Sequence, residues 1–244
     1  MKHNFERAGV MLQFLKSYID GDSYALSDFS YKKTDYKIGS DLPQVDDTWG
    51  TFSSDDIFSG YDEHAWFYKK VVIPPQLQNK NIYLRFSTNV YGWDAVNPQF
   101  IVYINGKIVQ ALDVNHTMVK LDPQLGEFDL YLYAYTGSVD PDWFTGQRGN
   151  PQFHLSASIV ERDALAEKVY YDIKVLYEVL EYSEENTKEY YELLKGLTDI
   201  LNLLDFRKPH SVEYREALQK ASDYADQEFY GKVCKKALPQ GIVN

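Results

Sequence analysis

A chain of 244 residues with 44% apolar content can bury one large core or two modest ones. Its formal charge of −11 supplies no basic field for phosphates, so nucleic acid and an anionic membrane surface are excluded as expected partners, whereas a neutral sugar is not. Aromatic residues reach 16%, with 21 Tyr, a bias toward β-structure or ring-rich surfaces.

In chain order, Phe5, Val10, Leu12, Phe14, Leu15, Tyr18 and Ile19 fall near helical spacing, with Asn4 as cap and Gly21 as stop; this predicts a helix within 1–21. Residues 22–60 are polar and turn-rich. Tyr24–Phe29 and Tyr31–Tyr36 have strand composition, and the remainder reads as a loop carrying Trp49, Phe52, Asp55 and Asp56. Carboxylates suit calcium, but no Asp-x-Asp-x-Asp-Gly spacing occurs, so solvated turn acids are the plainer reading.

Strand signals dominate the next hundred residues. Ala65–Ile73, Ile82–Ser87 and Phe100–Gln110 are rich in Val, Ile, Tyr and Phe. Pro74-Pro75 removes two backbone donors and stops the first of these. Asn105-Gly106 between two apolar runs is a strong hairpin signal. Glu127–Tyr135 alternates Phe128, Leu130, Leu132 and Ala134 against Tyr131, Tyr133 and Tyr135, as a central strand would. Pro151–Glu161 alternates Phe153, Leu155, Ala157 and Ile159 and reads as one closing strand. Trp66 alternates within its strand and is expected in the core, where a large ring fills space well.

At Arg162 the period changes from 2 to 3.6. Asp163 is placed to cap a helix whose stripe is Leu165, Val169, Ile173, Leu176 and Leu180. A second helix is expected over 185–204 and a third from Ser211 through Phe229, with Leu218, Ala221, Ala225 and Phe229 inward. The expected fold is therefore mainly β with α: an antiparallel jelly-roll-like β-sandwich over 22–161, preceded by the helix of 1–21 and followed by a helical linker subdomain over 162–235. Residues 236–244 contain Pro239 and Gly241 before a strand-like Ile242-Val243, and read as the start of a following domain.

Two aromatic loops are the candidate sugar contacts, since a sugar offers apolar ring faces and hydroxyls. One carries Trp93, Asp94 and Asn97; the other carries Asp142, Trp143 and Arg148. The same loops equally suit covering a neighbouring domain or a second subunit. Cys234 is the single cysteine, without an evident activating partner, so neither a disulfide framework nor a reactive thiol is expected. With no convincing signal peptide and no long apolar span, a cytoplasmic chain with no membrane contact is the expectation.

Four segments resemble the front region of the bacterial and fungal type α-mannosidases, family 38 of the glycoside hydrolases. They are AWFYKKVVIP (Ala65–Pro74), VYINGKIVQALDVNH (Val102–His116), ERDALAEKVYYDIKVLYEVLEY (Glu161–Tyr182, with Tyr170, Tyr171 and Asp172) and LNLLDFR (Leu201–Arg207). Ala111 stands where that family often has Gly. The resemblance implies a parent enzyme that hydrolyses terminal α-mannosyl bonds, with zinc held in a catalytic domain opening on a His-x-His-x-Asp stretch. None of His3, His64, His116, His154 and His210 forms that stretch, so this chain is expected to lack the catalytic domain, to hold no catalytic residue, metal site or cofactor of its own, and to have that domain as its partner. Within the matched segments, Asp113 and His116 are expected to be structural, the carboxylate accepting backbone N–H groups and the ring packing beside it. A free-standing carbohydrate-binding module for a mannose-containing glycan, and a structural module that assembles a homo-oligomer, are the other readings.

Overall fold

A computed structural model describes residues 2–35, 42–91, 97–137 and 152–234. The chain divides into two compact units, one spanning Asp22–Glu161 and the other built from the first residues through Gly21 together with those from Arg162 onward.

The first unit holds two antiparallel sheets. Six strands lie in the order β3 (Gly50–Phe52), β2 (Phe29–Thr34), β5 (His64–Val72), β10 (Glu127–Tyr135), β7 (Gln99–Ile104) and β8 (Lys107–Leu112). Four lie in the order β1 (Asp20–Leu26), β12 (Ser156–Arg162), β6 (Ile82–Ser87) and β9 (Met118–Lys120). β4 (Phe58–Ser59) and β11 (Gln152–Phe153) form a separate short pair. Ala65, Phe67, Val102, Leu130 and Leu132 of the larger sheet share one buried cluster with Ile82, Leu84, Phe86, Ala157 and Ile159 of the smaller. The two sheets therefore enclose a common core.

The punctuation acts as its chemistry requires. Asn105 and Gly106 adopt φ of 49° and 80°, the pair of positive angles that a two-residue hairpin matching strand twist needs. The Asn105 side chain accepts the Asp129 N–H at 3.0 Å, tying the turn to β10. Pro74-Pro75 ends β5 and leads into a single 3₁₀ turn over Pro75–Leu77. β10 has β5 and β7 on its two sides and spans the residues of the alternating run.

Three expectations need correction. Residues 152–162 form two strands rather than one: β11 pairs with β4 and β12 with β6, so the apolar alternation continues although the hydrogen-bonding partner changes at His154-Leu155. β3, β4 and β9 are too short for periodicity to reveal. The N-terminal helix α1 (Lys2–Ile19) begins before Asn4 and passes directly into β1 at Asp20, so Gly21 is a strand residue rather than a helix stop.

The second unit packs α1 with α2 (Ala164–Glu181), α3 (Lys188–Leu203) and α4 (Val212–Tyr224). α1 contributes Ala8, Leu15 and Ile19 to a core with Val169, Ile173 and Leu176. Phe5 stacks on Tyr177 with ring centroids 4.0 Å apart. Asp163, Thr187 and Ser211 cap α2, α3 and α4 by accepting backbone N–H groups of the first turn. After α4 the chain widens into π-helical turns over Ala225–Cys234, which bring Phe229 onto Gly196; a β-carbon at that glycine would lie 2.8 Å from the ring. Asp172, of the Tyr-Tyr-Asp segment, is buried and bound by Lys168 Nζ at 2.9 Å, and the same ammonium reaches Asp226 at 3.0 Å. Burial pushes the Asp172 carboxyl up despite that ammonium.

Candidate functional site

Strand periodicity sends alternate residues of the six-stranded sheet away from the core. The register aligns them in rows. His64, Tyr135 and Gln99 form one row across β5, β10 and β7; Trp66, Tyr133, Ile101 and Ala111 form the next, reaching β8. Part of this outer face is closed over. Trp66, Tyr103 and Tyr133 are buried in a second cluster, with Leu42, Trp49 and Tyr131 packed against it. Trp66 is thus buried, but on the face turned away from the inter-sheet core, because Ala65 and Phe67 on either side of it occupy that core. Burial raises the phenols of Tyr103 and Tyr131 above their ordinary range, and Tyr68, also desolvated and donating to Asp129, reaches about 12.

The other part of the face opens as a cavity of about 810 Å³. Its wall comprises His64, Gln99, Ile101, Ala111, Tyr133 and Tyr135 on the strands, Phe100 and Leu112 beside them, and Asp62, Asp113 and His116 from the connecting segments. The Tyr133 hydroxyl shares a 2.7 Å hydrogen bond with His64 Nδ1 in buried surroundings. The His64 ring stacks on Tyr135 at 4.6 Å and 14° between planes. Tyr135 donates to Asp62 Oδ1 at 3.1 Å, and His64 Nε2 lies 3.9 Å from the same oxygen. A row of rings is thereby locked edge and face, ending in a carboxylate that is 74% exposed.

On the opposite wall, Asp113 Oδ1 accepts the backbone N–H groups of Asn115 and His116 at 2.8 and 2.7 Å, and the His116 Nδ1 at 2.9 Å. Burial alone would raise the Asp113 carboxyl, but these donors outweigh it and hold it below the usual carboxylate range. An ionised carboxylate only accepts, so Nδ1 of His116 carries the proton and Nε2 is left for a ligand. The His116 side chain is 73% exposed.

Of the residues singled out by sequence, Asp113 and His116 stand together in the cavity wall, and Ala111 beside them lies in β8. Asn97 is half-buried next to Gly137, where an added β-carbon would sit 2.4 Å from its Nδ2. Trp93, Asp94, Asp142, Trp143 and Arg148 lie outside the described residues. Sequence reasoning missed Asp62, His64, Gln99, Tyr133 and Tyr135 as site residues. The available signal was parity: counting by twos from Trp66 reaches His64, and the same count along Glu127–Tyr135 puts every tyrosine on one face.

Among the described residues no group of three or more His, Cys, Asp or Glu is placed to hold a metal ion. None of the described helices is long and apolar enough to cross a membrane.

No protein-family model matches this sequence, and no curated protein matches it. Among solved structures, the chain is similar to the β-glucuronidase of Ruminococcus gnavus, with a TM-score of 0.41 and 14% identity over 59% of this chain and 29% of that one. The complex of that enzyme with D-glucuronic acid gives a TM-score of 0.41 at 14% identity, covering 60% and 30% of the two chains. Its apo form gives 0.40 at 13%, covering 58% and 29%. The chain spans less than a third of the length of these structures.

Proposed function

We propose that the β-rich unit binds carbohydrate in the cavity beside Tyr135, and that the chain is the front, accessory region of an α-mannosidase of the family 38 type rather than its catalytic part. One observation carries the first half: a cavity of about 810 Å³, walled by tyrosine and histidine rings, on which two carboxylates, an amide and an exposed imidazole converge. That size falls within the range of about 300–1,000 Å³ usual for small-molecule sites. The rings offer a stacking surface for a pyranose, and Asp62, Gln99, Asp113 and His116 offer hydrogen bonds to its hydroxyls.

The second half rests on the matched segments alone. Ala65–Pro74 and Val102–His116 contribute His116, Asp113 and much of the sheet beneath the cavity, while Glu161–Tyr182 forms α2. In this reading the sandwich is of the jelly-roll kind, the zinc-dependent chemistry belongs to the chain's partner domain, and the protein works in the cytoplasm. Among the described residues the cavity wall contains no serine, cysteine or lysine, and its Asp113 is occupied in holding a turn, which suits recognition better than bond cleavage.

Titrating mannose and short mannose oligosaccharides into the purified chain by calorimetry tests the proposal. Binding that weakens about tenfold in Tyr135→Ala supports it; no heat at millimolar sugar defeats it. A second reading, a module that assembles copies of the chain, draws on a stripe along α2 and its C-terminal cap where Tyr171, Val175, Val179 and Tyr182 are 50%, 45%, 45% and 87% exposed. A monomer in light scattering would remove it.

A further inference from the structure

We propose that the cavity sorts sugars by charge, accepting neutral and amino sugars and refusing those that carry a carboxylate or phosphate; this rests on the sugar-binding reading above. Among the described residues, every formal charge in its wall is negative or belongs to a histidine, and neither Lys nor Arg contributes. Asp62 accepts the Tyr135 hydroxyl on Oδ1, with His64 Nε2 approaching the same oxygen, and its side chain is 74% exposed. Asp113 gathers its donors on Oδ1 in the same way. Each wall therefore presents a carboxylate oxygen that accepts and cannot donate.

A neutral pyranose matches this through its hydroxyl hydrogens. An ammonium on the ring matches it better, because a charge-assisted bond to Asp62 is stronger than a neutral one and the Tyr135 ring beside it attracts cations. A carboxylate or phosphate brings like charge against Asp62 and Asp113 with no Lys or Arg among the described wall residues to offset it. The chain's net charge of −11 acts in the same sense at longer range.

The test is a calorimetric or NMR titration of the full chain with mannose, glucosamine, glucuronate and mannose 6-phosphate at about 0.15 M salt. Glucosamine is expected to bind several-fold more tightly than mannose, and the two anions about tenfold or more weakly. Asp62→Asn, which keeps an oxygen acceptor for the Tyr135 hydroxyl and suits the φ of 55° at that position, should remove the preference for glucosamine, and Asp62→Lys, checked for folding by thermal unfolding, should admit glucuronate. If glucuronate binds as well as mannose, or if Asp62→Asn leaves the ranking unchanged, charge sorting is wrong while sugar binding stands. If none of the four binds, sugar binding is wrong and charge sorting falls with it.

Discussion

On β10, Phe128, Leu130, Leu132 and Ala134 turn into the core, and Tyr131, Tyr133 and Tyr135 turn the other way. The inward set is fully apolar and nearly without solvent exposure, so its stability comes from packing alone. The outward set is as rich in carbon, but each tyrosine also carries a hydroxyl that needs a partner when desolvated. Tyr133 meets this with His64 and Tyr135 with Asp62. One strand thus builds a core on one side and a wall of the cavity on the other, and the difference lies in a hydroxyl per ring rather than in hydrophobicity.

The largest effect expected from breaking this contrast lies inside. Leu132→Ala should cost about 2–5 kcal/mol in urea unfolding, as truncation of a buried leucine does. Tyr135→Phe, which keeps the ring and loses one bond, should cost about 0.5–1.5 kcal/mol; equal costs would erase the distinction between the faces. Next comes the end of β10. Gly137 has φ of +97°, and a β-carbon there would meet Asn97, so Gly137→Ala should lose about 1–3 kcal/mol by thermal unfolding. Tyr135→Ala sharpens the comparison from the ligand side: mannose affinity should fall about tenfold, a difference of about 1.4 kcal/mol, with a smaller stability loss than Leu132→Ala.

The smallest effect concerns pH. The Asp113 carboxyl is lowered in the folded chain, so its contribution is fully present above the unfolded value of about 3.9 and is lost as pH falls through the folded value. Asp113→Asn should therefore be less stable than the parent at neutral pH, by no more than about 1 kcal/mol for a side chain still 36% exposed, and the gap should close in acid. Urea titrations of both proteins at neutral and acid pH read this directly.

Much of the scaffold was visible before any coordinates. Alternation over Glu127–Tyr135, the Asn105-Gly106 turn, the Pro74-Pro75 stop and the Asp163 cap are local signals, each the direct consequence of a backbone preference within a few residues. Short strands such as β3 and β9 left no such trace, because three residues cannot show a period. The change of partner between β11 and β12 left none either, since both continue the same apolar alternation. At the cavity, Asp113 and His116 could be chosen together because they share a turn, whereas Asp62 and Tyr135 are 73 positions apart.

The order of residues by itself determined which segments extend, which coil, where they stop, and that the chain is acidic and ring-rich. Only the tertiary structure decided that the helix at the N-terminus joins those after Arg162, and that His64, Gln99 and Tyr135 form one row. The reason is physical. Local preference acts over a few bonds, but register is set by burying one face of each strand against another sheet, and that choice alone places the opposite face where a ligand can reach it.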